Sequence, residues 1–225
     1  MKRIFFLITL LIAFSSLSSA QDWPGLKIFK DENTRIGLPK KNESRVVFMG
    51  NSIFESWIKV SPEFFNGKSY VNRGISGQTT AQMLVRFRQD VIALKPKIVV
   101  LLAGTNDIAG NTGPSTLEMI MDNINSMAEI AKANKIKLIL CSVLPAFKYK
   151  WVPDAKPAEK IKSLDSMIKT YATKNKILYV DFYTPMVNES GGLKEAYTKD
   201  GVHPNLEGYK VMEPILEKVI INLKD

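Results

Sequence analysis

The stretch Asp200-Gly201-Val202-His203-Pro204-Asn205 holds the one histidine of the chain. Any acid–base step run on an imidazole must therefore use His203. An aspartate three residues earlier, across a turn containing glycine, can fold back onto one ring nitrogen and fix its tautomer. The other nitrogen is then left to take a proton from a nucleophile. Asp-Gly and His-Pro-Asn also favour loops, so the same stretch reads as a plain turn. Three upstream stretches carry complementary residue types. Gly50-Asn51-Ser52 offers a hydroxyl where a helix should begin, so Ser52 is either a nucleophile or a helix N-cap. Asn72-Arg73-Gly74 opens a Gly-rich loop whose backbone N–H groups can meet an anion, without the spacing of a phosphate-binding loop. Gly104-Thr105-Asn106-Asp107 is either an Asx-type turn or an amide donor aimed at developing negative charge.

The elements that must position these residues are apolar runs. Arg45 to Met49, Ser69 to Val71, Lys97 to Ala103, Ile136 to Val143 and Ile177 to Phe182 lack clear alternation, as strands covered on both faces do. Helical stripes lie between them: Leu84, Phe87, Val91 and Leu94; Leu117 to Ala128, with Ser115 as its cap; Ile161, Leu164, Ile168 and Tyr171; and Tyr209, Met212, Leu216 and Val219, where Pro214 should kink or divide the helix. Residues 21–44 read as a polar lead-in over the surface. Strands alternating with helices imply a parallel sheet wrapped on both sides, with its site at the carboxyl ends of the strands. That rule gathers Ser52, Gly74, Asn106 and His203 on one rim. Nucleophile, base and hydrogen-bond donors together are the set needed for acyl transfer.

The chain has 225 residues, 45% hydrophobic and 24% charged, which suits one globular domain with a sizeable core. Lys2 and Arg3, the apolar run Ile4 to Phe14 and the small residues Ser18-Ser19-Ala20 follow the grammar of a secretory signal peptide over residues 1–20. Residues 21–225 would then be a single exported domain, periplasmic or extracellular, with no stable membrane insertion after cleavage. Loss of Lys2 and Arg3 lowers the net charge from +9 by two, to +7. The lysines are scattered and not interleaved with aromatics, so no nucleic-acid partner is expected. Cys141 lies in an apolar run and reads as a buried thiol, and one His with one Cys makes a poor zinc site, so no metal is expected.

The residues Gly50-Asn51-Ser52, Gly74, GTND at 104–107 and DGVHPN at 200–205 resemble the motifs of the SGNH hydrolases, also called the GDSL esterase/lipase family. The resemblance spans roughly residues 45–220. It implies an α/β fold, a three-layer αβα sandwich around a flavodoxin-like parallel five-stranded sheet. It implies a serine esterase with Ser52, His203 and Asp200 as catalytic triad, and with the N–H groups of Ser52 and Gly74 and the Asn106 amide as oxyanion hole. No cofactor is required. The first motif departs from the family's usual Gly-Asp-Ser by Asn51. Together with the leader, the resemblance favours removal of acetyl groups from carbohydrate, the substrate being a small-molecule or glycan ester. A lysophospholipase or acyl-thioesterase with a long-chain tunnel is the alternative, and an inactive glycan-binding module is a third reading. Asn51, Trp57, Phe147, Tyr149 and Trp151 are the candidate substrate contacts, by stacking on a sugar or lining an acyl pocket; the aromatics can equally pack their own loop.

Overall fold

The computed structural model describes residues 22–224. The expected leader, Met1 to Ala20, lies outside the described residues. Five strands, β1 (Val46–Gly50), β2 (Tyr70–Gly74), β3 (Ile98–Leu102), β4 (Lys137–Cys141) and β5 (Leu178–Val180), pair in parallel in the order β2-β1-β3-β4-β5. Every residue of β1 and β3 is buried, because these central strands are covered on both faces. Alternate residues split between two cores. Val47, Met49, Val99 and Leu101 face one cluster, and Val46, Phe48, Ile98 and Val100 face the other.

The first cluster is closed by α3 (Thr80–Asp90), α5 (Leu117–Ala133) and α6 (Pro157–Asn175), through Met83, Phe87, Ile124, Met127, Leu164 and Ile168. The second is closed by α2 (Ser52–Val60) and α8 (Leu206–Lys224), through Phe54, Trp57, Tyr209, Met212 and Leu216. This is the three-layer αβα sandwich expected from the sequence. Short helices α1 (Lys30–Ile36), α4 (Thr105–Ile108) and α7 (Tyr183–Met186) complete the order. Cys141 is a buried core thiol, and burial raises its pKa. Among the described residues no helix is long and apolar enough to cross a membrane.

Several expectations need correcting. Thr116, not Ser115, caps α5: its backbone is extended and its hydroxyl accepts from Met119 N–H at 3.2 Å. The stripe ending at Leu94 is not one helix, since α3 stops at Asp90 and a 3₁₀ turn covers Ile92–Leu94. Pro214 does not divide α8, because buried Tyr209 and Met212 before it and Leu216 after it pin both halves to the same core. Residues 22–36 are more than a lead-in. Gln78, Gln82 and Gln89 donate side-chain N–H groups to the carbonyls of Pro24, Trp23 and Leu26 at 2.7, 2.6 and 2.6 Å.

Trp57 is also not a substrate contact. It is fully buried, stacked between Phe64 (ring centroids 5.0 Å apart) and Tyr209 (5.1 Å), and its indole N–H donates to Glu213 at 3.2 Å. The sequence places it five residues beyond Ser52, which on a helix is about 140° round the axis, and that face turns to the core. Trp57→Ala is expected to cost about 3–5 kcal/mol of stability, as loss of a large buried aromatic does. Urea unfolding should show a lower midpoint with an unchanged slope.

Candidate active site

In a sheet of this order the chain leaves β1 first to one side and then to the other. The crevice therefore opens where β1 and β3 end. Ser52 begins α2 directly after β1, and Asn106 sits in α4 directly after β3. Gly74 ends β2, and His203 lies in the loop before α8. Ser52 Oγ and His203 Nε2 are 2.9 Å apart, although 151 residues separate them in sequence.

The local sequence explains why the hydroxyl is available. Asn51 has extended backbone and its Oδ1 accepts from Ile53 N–H at 3.0 Å, so asparagine rather than serine is the N-cap. Ser52 is thereby the first helical residue, whose N–H has no intrahelical acceptor. Asn51 is itself fully buried, which removes it as a substrate contact; its Nδ2 has no partner among the described residues. α8 fixes the imidazole relative to α2, because Tyr209 O–H donates to the Ile53 carbonyl at 2.7 Å.

The other ring nitrogen of His203, Nδ1, lies 2.7 Å from Asp200 Oδ2. Asp200 Oδ1 accepts from the backbone N–H groups of Val202 and His203 at 2.9 and 2.8 Å. The tight reversal passes through Gly201 at φ +87°, a conformation that favours glycine. Thr198 braces it, its hydroxyl accepting from Gly201 N–H at 3.0 Å and donating to the His203 carbonyl at 2.8 Å. Partial burial pushes the Asp200 pKa up, but hydrogen bonds from the His203 backbone, the His203 ring and Val202 N–H outweigh it. The net result is a pKa of about 2. A carboxylate charged at every ordinary pH holds Nδ1 as the protonated nitrogen and leaves Nε2 as acceptor for the serine proton.

Gly74 and Asn106 are brought to the same rim. A side chain at Gly74 would put Cβ 2.2 Å from Glu55 N and 2.8 Å from the Asn51 carbonyl, so only glycine lets β2 end against the first turn of α2. Its N–H donates at 2.8 Å to Asn72 Oδ1, which an incoming anion would have to share or displace. Asn106 spends one amide hydrogen on the Gln78 carbonyl at 2.9 Å, and the amide carries a second. The neighbouring Asp107 accepts from Thr80 N–H with both oxygens at 3.0 Å, fastening the Gly74 loop to the Asn106 loop at the start of α3. Burial raises its pKa against the opposing pull of the Thr80 hydrogen bonds. Asn72, Thr80, Asp107, Thr198 and Tyr209 went unseen as site residues. The Thr-Asn-Asp run was the one available signal, for Asp107.

Of the aromatic loop, Tyr149 is buried, with its hydroxyl 2.7 Å from Thr105 Oγ1, so it cannot stack on a substrate. Its packing partner can. Trp151 lies parallel to it at 5.0 Å, remains 47% exposed and donates to Asn111 at 3.3 Å, and Asn111 N–H donates to the Asn106 carbonyl. Phe147 is 57% exposed and lines a cleft of about 340 Å³ with Asn188, Glu195, Lys199 and Asp200. A second cleft of about 600 Å³ runs past His203 between Ser56, Val60 and Leu206.

Comparison with known proteins identifies the family and the fold. The family model described as GDSL-like Lipase/Acylhydrolase family matches residues 48–211. A crystal structure of a candidate acylhydrolase from Bacteroides fragilis is 50% identical with a TM-score of 0.89, covering 91% of this chain and 100% of that one. A GDSL-like lipase structure from Bacteroides thetaiotaomicron is 50% identical with a TM-score of 0.86, covering 89% and 99%. Among curated proteins, an acetylxylan esterase of Xylanibacter ruminicola is 25% identical over 82% of this chain, and this chain spans 45% of that protein's length. Esterase TesA of Pseudomonas aeruginosa is 28% identical, over 70% of this chain and 74% of its own.

The Asp200 pKa is depressed from 3.8 to about 2, so its contribution to stability is complete above 3.8 and lost as pH falls through about 2. The difference in unfolding free energy between the wild type and Asp200→Asn, measured by urea titration, should stay flat above about pH 3.8 and shrink toward about pH 2. Exposure of more than a third of both side chains keeps its amplitude small.

Proposed function

The chain belongs to the GDSL-like lipase/acylhydrolase family, and from that membership we propose that it is a serine esterase whose catalytic triad is Ser52, His203 and Asp200. The observation that carries this reading is the continuous chain of contacts from Ser52 Oγ to His203 Nε2 and from Nδ1 to Asp200, at 2.9 and 2.7 Å. Ser52 Oγ attacks the ester carbonyl carbon, the carbonyl electron pair moves onto oxygen, and Nε2 takes the hydroxyl proton. The oxyanion is met by the N–H groups of Ser52 and Gly74 and by the Asn106 amide. Collapse breaks the bond to the alcohol oxygen, which leaves with the proton from His203. Water, deprotonated by the same nitrogen, then releases the acid and restores Ser52. Asp200 stays ionised throughout and stabilises the imidazolium.

The proposed substrate is an acetyl ester of a carbohydrate. Two exposed rings lie near the site, Phe147 in the cleft that Asp200 also lines and Trp151 linked through Asn111 to Asn106, and sugar faces stack on such rings. Likeness to a protein named acetylxylan esterase supports the same class. The second reading, a longer acyl chain, has an observation of its own: a cleft of about 420 Å³, mostly apolar but edged by Glu32, Glu55 and Lys59, reaches Gly74 past Ile28, Ile58 and Ile75. The leader-like residues 1–20 support action outside the cytoplasm.

Ser52→Ala and His203→Ala are each expected to lower kcat on p-nitrophenyl acetate by roughly 10⁴-fold or more. Asn106→Ala should lower kcat by about 10²–10³-fold with little change in KM. Unchanged turnover in the Ser52 variant would exclude that residue as nucleophile, and failure of a folded wild type to take a fluorophosphonate label would instead favour a binding module.

Across esters from two to twelve carbons, activity should peak at acetate. A maximum above eight carbons would transfer the assignment to the apolar cleft. Trp151→Ala should raise KM for acetylated oligosaccharides while leaving p-nitrophenyl acetate unaffected.

A further inference from the structure

Beneath the rim lies a guanidinium that the reaction does not use directly. Arg86, on α3, is completely buried. Its Nη2 donates to two main-chain carbonyls, Arg73 at 2.8 Å and Gly50 at 3.1 Å. Its Nε donates to the Gln78 side-chain oxygen, and its Nη1 meets Asp90 at 3.0 Å. These acceptors lie next to the expected oxyanion donors. The Arg73 carbonyl belongs to the same peptide unit as the Gly74 N–H. The Gln78 main-chain carbonyl is the group on which the Asn106 amide rests. Gly50 lies two residues before Ser52 and closes β1.

We propose that Arg86 is a positioning residue of the oxyanion hole, one cation that fixes the Gly74 and Asn106 donors together and polarises the Gly74 N–H through its own peptide bond. The inference rests on the reading of Gly74 and Asn106 as oxyanion donors. Two physical effects follow. A charge-assisted bond on a peptide carbonyl draws electron density through the amide and makes the N–H of that unit a stronger donor. A rigid fork joined to three acceptors from two loops also prevents those loops from drifting independently, and displacements near 1 Å at such a site cost about 10²-fold in rate. The cation is costly to bury, and Asp90 offsets part of that cost. Burial pulls the Arg86 pKa down to about 10 against the attraction of Asp90, so the group stays charged under assay conditions. Asp90 is fastened in turn by Asn33 at 2.7 Å, and Asn33 accepts from Arg73 Nε at 2.9 Å. The strap at 22–36 thereby joins the same network.

The test uses Arg86→Lys, which keeps the charge but loses the fork, and Gln78→Ala, which keeps the guanidinium but removes one anchor. Thermal unfolding selects the folded variants. On p-nitrophenyl acetate, Arg86→Lys is expected to lose about 10- to 100-fold in kcat with KM within a few-fold of wild type, and Gln78→Ala to lose less in the same direction. Affinity for phenylboronic acid, which adds to Ser52 as a tetrahedral anion, should fall in step with kcat. Combining Arg86→Lys with Asn106→Ala should cost less than the two losses multiplied together. Should Arg86→Lys not fold, Gln78→Ala carries the same comparison. Full kcat in a folded variant, kcat loss without loss of boronate affinity, or multiplicative losses in the double variant would overturn the inference. Ser52→Ala separates the two levels: if it retains activity, the active-site reading fails, whereas an inactive Ser52→Ala beside a fully active Arg86→Lys removes only the role given to Arg86.

Discussion

The contact between Ser52 Oγ and His203 Nε2 joins two parts of the chain that share no strand pairing. It exists only while α8 stays registered against α2. The loop carrying His203 is partly exposed and cannot by itself hold a 2.9 Å contact. The register comes from the layer below: Trp57 of α2 lies flat on Tyr209 of α8, and the Tyr209 hydroxyl reaches back to the Ile53 carbonyl. Apolar packing in the second core therefore sets a polar distance at the rim. A stacked aromatic pair tolerates little sliding without losing area, and for that reason it serves as a ruler.

Polar ties then link the rim loops to one another. Asp107 fastens α4 to the start of α3, Asn72 fastens the end of β2 to α2, and the Asp200 turn closes on its own backbone. The Asp107 and Asp200 ties use side-chain oxygens against N–H groups of a helix start and a turn, which would otherwise lie unpaired when buried. Recognition of an ester carbonyl asks for donors already in place, so that little reorganisation occurs as charge develops. The density of these ties around Ser52, Gly74 and Asn106, the proposed donors, suits that requirement.

Much of the architecture was legible because central parallel strands are apolar on both faces and leave an unmistakable pattern, as in Ile98–Leu102. The rim residues were legible because a lone histidine with an aspartate three residues earlier has few alternatives. What stayed hidden depends on partners far away in sequence. Trp57 looks like a contact beside Ser52 until the helix is given a facing, and Tyr149 is separated from Trp151 only by which of the two rings the fold covers. Arg86 is one of many basic residues on a helix, and nothing local announces that its fork meets carbonyls from two strands. Ser52 and Asn51 are both good caps, and only the backbone angle at Asn51 decides between them.

Three glutamines, Gln78 just before α3 and Gln82 and Gln89 on it, create an asymmetry in mutational tolerance. Gln78, Gln82 and Gln89 grip carbonyl oxygens of residues 23, 24 and 26, and every amino acid supplies that oxygen. Residues 23, 24 and 26 are therefore freer to drift in sequence than the residues that grip them. Variation among descendants of this chain should concentrate on positions 23, 24 and 26 and spare the three glutamines, together with Asn33, whose side chain is itself bonded to Asp90 and Arg73.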